Sequence, residues 1–216
     1  MVSLATLDVA HLTTPAPVPA TRRDWRDDLP TLNGSMITLR ELRLNDAASL
    51  LASLGSAEVT RLISPPPPTI EGFEKFIAWT CRQRQEGKSI AFGVTLRGTD
   101  TVIGLFQVRS ISPSFDVAEW GFALGSEFWG TGIFMDAAHL VLNFAFDVMG
   151  VHRMEAKAAV KNGRGNGALQ KLGMVQEAIL RRSFLRNGIY LDQACWALTV
   201  DTWRQQTIAR DFRIVH

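Results

Sequence analysis

Phe128-Trp-Gly-Thr-Gly-Ile-Phe134 sets Gly130 and Gly132 where the residue pattern changes from alternation to a helical period. Glycines let the backbone approach a ligand closely there, and the amides of the first helical turn have no partner inside the helix. With the positive end of the helix dipole beside them, those amides suit a diphosphate. The same glycines also fit a tight turn needed only for packing, and a lone Gly-x-Gly does not decide between the two. A P-loop is excluded, because Gly132 is followed by Ile133 and Phe134 rather than Lys and Ser or Thr. A dinucleotide fingerprint is excluded as well: Met135 stands where Gly or Ala is needed, and hairpin strands rather than a parallel βαβ unit come before the loop.

The elements that hold this loop follow from periodicity. Met36 to Leu42 alternates as a strand, and Asn45-Asp46 offers a cap for a helix over Ala47 to Leu54. Four prolines, Pro65 to Pro68, force a loop, after which Phe73, Phe76, Ile77 and Thr80 recur at helical spacing. Ile90 to Leu96 and Val102 to Val108 form a hairpin around Arg97-Gly-Thr-Asp100, and Asp116 to Leu124 is a third strand. In the helix after the glycine loop, Ile133, Ala137, Leu140, Val141, Phe144 and Val148 share an apolar face opposite Asp136, His139, Asn143 and Asp147. A strand over Val151 to Ala158, a short helix from Gly165 to Leu172 and a hairpin around Asn187-Gly188 complete the pattern. The order β-α-α-β-β-β-α-β-α-β-β predicts a mixed α/β layer fold rather than a doubly wound sheet.

Residues 1–33 carry four prolines and no period that packs onto a core, so they read as an arm, with residues 34–216 as one domain. Trp25, among Arg22, Arg23 and Arg26, is expected to be solvated with that arm, and Trp203 to lie outside the patterned elements. A net charge of +2, with no basic stripe, argues against nucleic acid as a partner. Cys81 and Cys195 are too few for a disulfide framework or a zinc site, and His139 and His152 have no second ligand at metal spacing, so no metal is expected. No run reaches the roughly 18 apolar residues of a membrane span and the start is unlike a signal peptide, which predicts a cytoplasmic protein without a membrane partner.

Glu119-Trp-Gly-Phe-Ala-Leu124, Phe128-Trp-Gly-Thr-Gly132, Val151-His-Arg-Met-Glu155, Asn162 with Leu169-x-Lys-Leu-Gly173, and Asn187-Gly-x-Tyr-x-Asp192 together resemble the GNAT superfamily of N-acetyltransferases. The similarity runs from about Met36 to Leu198, and it is nearest to the ribosomal-protein N-terminal alanine and serine acetyltransferases. The resemblance implies a splayed, mostly antiparallel twisted sheet of about seven strands flanked by about four helices. It implies acetyl-CoA as co-substrate, with pyrophosphate on the amides around Trp129, Gly130, Thr131, Gly132, Ile133 and Phe134. Pantetheine would pair with Phe122, Ala123 and Leu124 and meet Asn162. Gly165 replaces a frequent serine of the family, and Asn166 either substitutes for it or caps a helix. Glu127 stands where the family often has Gln or Arg, and Phe134 where its branch often has a small residue.

Acyl transfer to an amine needs a neutral amine, a stabilised oxyanion and a leaving thiolate. The resemblance places the family's usual carboxylate at Glu119, which either accepts the amine proton, directly or through water, or orients substrate. It offers a backbone amide near Phe122 to Leu124 for the oxyanion. No tyrosine lies in Asn162 to Gly173 to serve as an acid, but a thiol of pKa about 8.5 leaves with little help. Tyr190 and Asp192 either shape the acceptor pocket or flank a turn. The expected activity is direct acetyl transfer to a protein N-terminal or small-molecule amine, by a monomer or homodimer. The alternative is a catalytically silent acyl-CoA sensor.

Overall fold

The computed structural model describes residues 24–214. Its strands are β1 (Leu32–Asn33), β2 (Ile37–Glu41), β3 (Ser89–Leu96), β4 (Val102–Ser110), β5 (Val117–Leu124), β6 (Arg153–Ala159), β7 (Val175–Arg186) and β8 (Ile189–Thr199). They form one sheet in the order β1-β2-β3-β4-β5-β6-β8-β7. Neighbours run antiparallel except β5 and β6, which run parallel.

The helices are α1 (Ala47–Leu54), α2 (Ala57–Thr60), α3 (Ile70–Gln85), α4 (Ile133–Asp147), α5 (Gly163–Lys171) and α6 (Val200–Ile214). The expected strands and helices all form, and β1, α2 and α6 are additional. Two of these are too short to show a period. α2 is a single turn capped by Ser56, whose hydroxyl accepts from the Val59 amide at 3.2 Å. α6 escapes because it is mostly polar; Trp203 anchors it, only 3% exposed.

Strand alternation explains the two apolar layers. Ile90, Phe92 and Val94 of β3 pack toward α4, against Ala137, Val141 and Phe144. Ala91 faces the other way, with Leu50 and Leu54 of α1 and Phe73 and Ile77 of α3. The sheet is covered on both faces, so β3 is apolar almost throughout rather than alternating.

The boundary after residue 33 needs correction. Trp25 is 5% exposed and meets Phe115 edge-on at 5.5 Å, Leu29 is equally buried, and β1 pairs with β2. The expected arm therefore packs on the domain from Asp24 onward, and Trp25 is not solvated; residues 1–23 lie outside the described residues. One large aromatic side chain buries enough apolar surface to hold a segment that has no period of its own. Among the described residues no helix is long and apolar enough to cross a membrane.

Candidate active site

β5 and β6 stay paired for only three positions, Val117↔Arg153, Ala118↔Met154 and Glu119↔Glu155, and then part. The register of β5 on β4 is unbroken, and the Gly125 amide donates to the Ile103 carbonyl at 2.9 Å. Alternation along that antiparallel ladder turns the polar backbone groups of Trp120, Phe122 and Leu124 away from β4, toward the opening. The Leu124 carbonyl accepts from the Trp129 indole at 3.0 Å. The Phe122 amide and carbonyl remain as an open strand edge.

The glycine loop closes one side of this opening. Gly130 (φ 76°) and Gly132 (φ 91°) are left-handed, a conformation that costs any other residue about 1–2 kcal/mol. Gly132 caps α4, and Thr131 is tied back by its hydroxyl, which donates to the Phe128 carbonyl at 2.7 Å. A Cβ at Gly130 would meet nothing within 4 Å, so the protein's own packing does not demand a bare backbone there. A cavity of about 650 Å³ lies in front of the loop. Its ionisable lining is Arg61, Lys161, Arg164 and Lys171 against Glu58 alone, and Arg164 stacks over the Trp129 ring at 3.9 Å. Four cations, a left-handed glycine pair and a helix N-terminus make a receptor for a phosphorylated ligand. Glu127 is exposed and does not line the cavity, so it does not oppose that charge. Phe134 turns into an aromatic cluster, 4.6 Å from Phe122 and 5.6 Å from Phe106 between ring centres, so its bulk is absorbed by packing.

Asn162 lines both cavities, and its side chain caps α5 by accepting from the Gly165 amide at 2.9 Å. Asn166 lines neither. Its amide group donates to the Ala159 and Asn162 carbonyls at 2.9 and 2.8 Å, and its oxygen accepts from the Trp196 indole at 2.9 Å. Of the two readings left open for Asn166, these bonds favour a structural one: a side chain bonded at both ends braces α5 against β6 and β8.

On the far side of the opening is a second cavity, of about 1130 Å³, which shares Phe122, Ala123, Asn162 and Gly165 with the first. Glu119 lines it, its side chain 17% exposed, between the Arg109 guanidinium at 3.1 Å and the Lys157 ammonium at 2.9 Å. Burial pushes the Glu119 carboxyl up, but the hydrogen bonds and charges of Lys157 and Arg109 together outweigh it and hold the pKa below the ordinary carboxylate range. Lys157 lies two residues beyond Glu155 on the same strand face, just past the last β5–β6 pair.

Tyr190 and Asp192 do not line this cavity. Tyr190 is 61% exposed, and the Asp192 carboxylate accepts from the Arg182 amide at 2.8 Å, at an irregular stretch of β7. Of the two readings left open for this pair, the placement favours flanking the turn; from the β7–β8 hairpin it is Phe184 and Gln193 that line the cavity. Opposite them, Leu62 to Pro68 form the other wall, fixed at its start by Arg186, which donates to the Thr60 carbonyl at 3.0 and 2.7 Å. Sequence reasoning missed Arg109, Lys157 and the four cations of the first cavity. Period-two alternation from Glu155 would have flagged Lys157; Arg109 meets Glu119 through the β4–β5 register, and the four cations come from separate elements with no shared spacing.

Both cysteines are unpaired, and burial pushes each thiol up, the opposite of what a nucleophile needs. Among the described residues no group of three or more His, Cys, Asp or Glu could hold a metal ion.

A sheet opened beside a glycine loop at a helix N-terminus is the architecture of an acetyltransferase fold, and the sequence agrees: residues 36–175 match the acetyltransferase (GNAT) domain. The chain belongs to this family and is an N-acetyltransferase. It is similar to the uncharacterized N-acetyltransferase YoaA of Bacillus subtilis (strain 168), 26% identical over 170 residues, covering 78% of this chain and 96% of that one. A more distant relative is the [ribosomal protein uS5]-alanine N-acetyltransferase of Escherichia coli (strain K12), 23% identical over 120 residues, 55% of this chain and 62% of the other. Among solved structures, Mycobacterium smegmatis RimJ in complex with CoA-disulfide superposes with a TM-score of 0.72 at 18% identity, over 79% of this chain and 87% of that one. The microcin C7 self-immunity acetyltransferase MccE in complex with acetyl-CoA and AMP gives 0.69 at 21% identity, over 77% and 93%.

Proposed function

We propose that this enzyme binds acetyl-CoA in the opening between β5 and β6 and transfers the acetyl group directly to a primary amine entering from the second cavity. The observation that carries the reading is the join between the two cavities at Phe122, Ala123 and Asn162, which lets a phosphorylated donor and an amine meet at one strand edge. Trp129 to Phe134 hold the diphosphate, helped by Lys161 and Arg164, while Phe122, Ala123 and Leu124 pair with the pantetheine arm and Asn162 flanks it. Acetyl-CoA supplies the activated thioester. The Phe122 amide, preorganised on the open edge, stabilises the developing oxyanion.

Glu119 is the proton acceptor in this reading, and its environment limits what it can do. A carboxylate with a depressed pKa is a weak base, so the amine must give up its proton readily once bound. At pH 7.5 about a third of an α-amine of pKa near 7.8 is neutral, against roughly 0.1% of a lysine side chain at 10.4. The acceptor is thus an α-amine or another amine of low pKa, in a small molecule or at a protein N-terminus. Thiol release from acetyl-CoA across a panel of amines, for wild type and Glu119→Gln, tests this. Amine-dependent release that falls in the variant supports the reading. CoA binding without release for any amine replaces it with an acyl-CoA sensor, and no CoA binding overturns it.

A further inference from the structure

Resting on that reading, we propose that the acceptor is a small zwitterionic amine, an α-amino carboxylate with an apolar side chain, whose carboxylate is held by Arg109 and Lys157. The second cavity has three ionisable residues in its lining, Glu119, Arg109 and Lys157, so its walls carry a surplus of one positive charge. Glu119 has one cation on each oxygen, Arg109 on Oε1 and Lys157 on Oε2. Each oxygen keeps a free lone pair for an incoming amine, and the cavity lining contains no second carboxylate to balance the remaining cation.

Arg109 and Lys157 are 56% and 36% exposed, so both are open to a ligand in the cavity. A substrate that brings its own anion balances the surplus charge: its amine meets Glu119 while its carboxylate meets Arg109 and Lys157. A purely cationic amine, or the start of a basic protein tail, meets like charge with no compensation. This pairing also assists the chemistry, because neutralising the carboxylate removes the negative charge that keeps the neighbouring ammonium protonated. Pro65 to Pro68, Phe73, Phe76 and Phe184 surround these charges with apolar wall, suited to a hydrophobic side chain rather than a polar one.

The test compares L-phenylalanine, L-phenylalaninamide, 2-phenylethylamine and the peptides Ala-Ala-Arg-Lys and Ala-Glu-Ala-Ala as acceptors at pH 7.5. The amide is the stringent control, since its amine is intrinsically the more neutral. We expect kcat/KM for the amino acid to exceed that for the amide by about 10-fold or more, with the ratio collapsing toward one in Arg109→Ala and reversing in Arg109→Glu. Arg109 is 56% exposed, so these variants are expected to fold. Equal use of acid and amide, a ratio untouched by both variants, or preference for either peptide would overturn the proposal while leaving acetyl transfer intact. If no amine gives thiol release, calorimetric binding of phenylalanine and its amide to the CoA-loaded protein still decides it: tighter binding of the acid supports the anion site, and equal or weaker binding sinks it.

Discussion

Lys157 reaches across the opening between β5 and β6 to hold Glu119, with the ammonium nitrogen 2.9 Å from Oε2. Glu119 is the last β5 residue paired with β6, and Lys157 lies two residues beyond its partner Glu155, so the same ion pair both bridges the cleft and lowers the pKa of its carboxylate.

Because the folded pKa of Glu119 lies below its unfolded value, the ion pairs stabilise the fold above the ordinary carboxylate range, and this stabilisation is lost as pH falls through the folded pKa. Urea unfolding of wild type and Glu119→Gln is expected to differ at pH 7 and to converge once the pH has fallen through the folded pKa of Glu119. In Lys157→Ala the carboxyl rises toward its ordinary value, so convergence moves to higher pH. A gap that persists unchanged below that pKa would show that Glu119 stabilises the fold by something other than charge.

Gly130→Ala should weaken CoA binding by about 10-fold, since the left-handed backbone is strained by about 1–2 kcal/mol and the new methyl points into open space in front of the loop. Isothermal titration with CoA reads the affinity, and a thermal melt reads the strain separately. Loss of thermal stability with unchanged affinity would remove the loop from the donor site.

Much of this arrangement is legible in the sequence, for definable reasons. The glycine loop shows because its residues are contiguous and must satisfy one backbone geometry; Glu119 shows because it shares a strand with that loop's approach. Arg109 and Lys157 belong to the same charge cluster but sit on neighbouring strands, and register, which decides their meeting, is a tertiary property. In the sequence Asn166 reads as a substitute for the family serine or as a helix cap, yet the indole of Trp196, thirty residues away, donates to its oxygen.

Asn166→Ala would leave the Trp196 indole without its acceptor, while the Ala159 and Asn162 carbonyls keep their backbone donors, a loss of about 1–3 kcal/mol in chemical denaturation. CoA affinity, measured well below the melting temperature, is expected to change little. A large fall in affinity with stability intact would restore the residue to the donor site.

Trp25→Ala should cost about 3–5 kcal/mol, the range for emptying a buried tryptophan site, although the residue lies before the family-matched region. A protein with the melting temperature of wild type would mean that the segment from Asp24 to Asn33 contributes little to the domain.

Arg186 holds the end of α2, and Phe184 and Gln193 face the proline wall that follows it. The two walls of the acceptor cavity thus come from opposite ends of the folded chain. A nascent chain that has left the ribosome only as far as β6 already carries the glycine loop and Glu119, but nothing yet closes the side where an amine would be chosen. Arg109 and Lys157 are in place by then, and the cavity around them is enclosed only once the β7–β8 hairpin has been made.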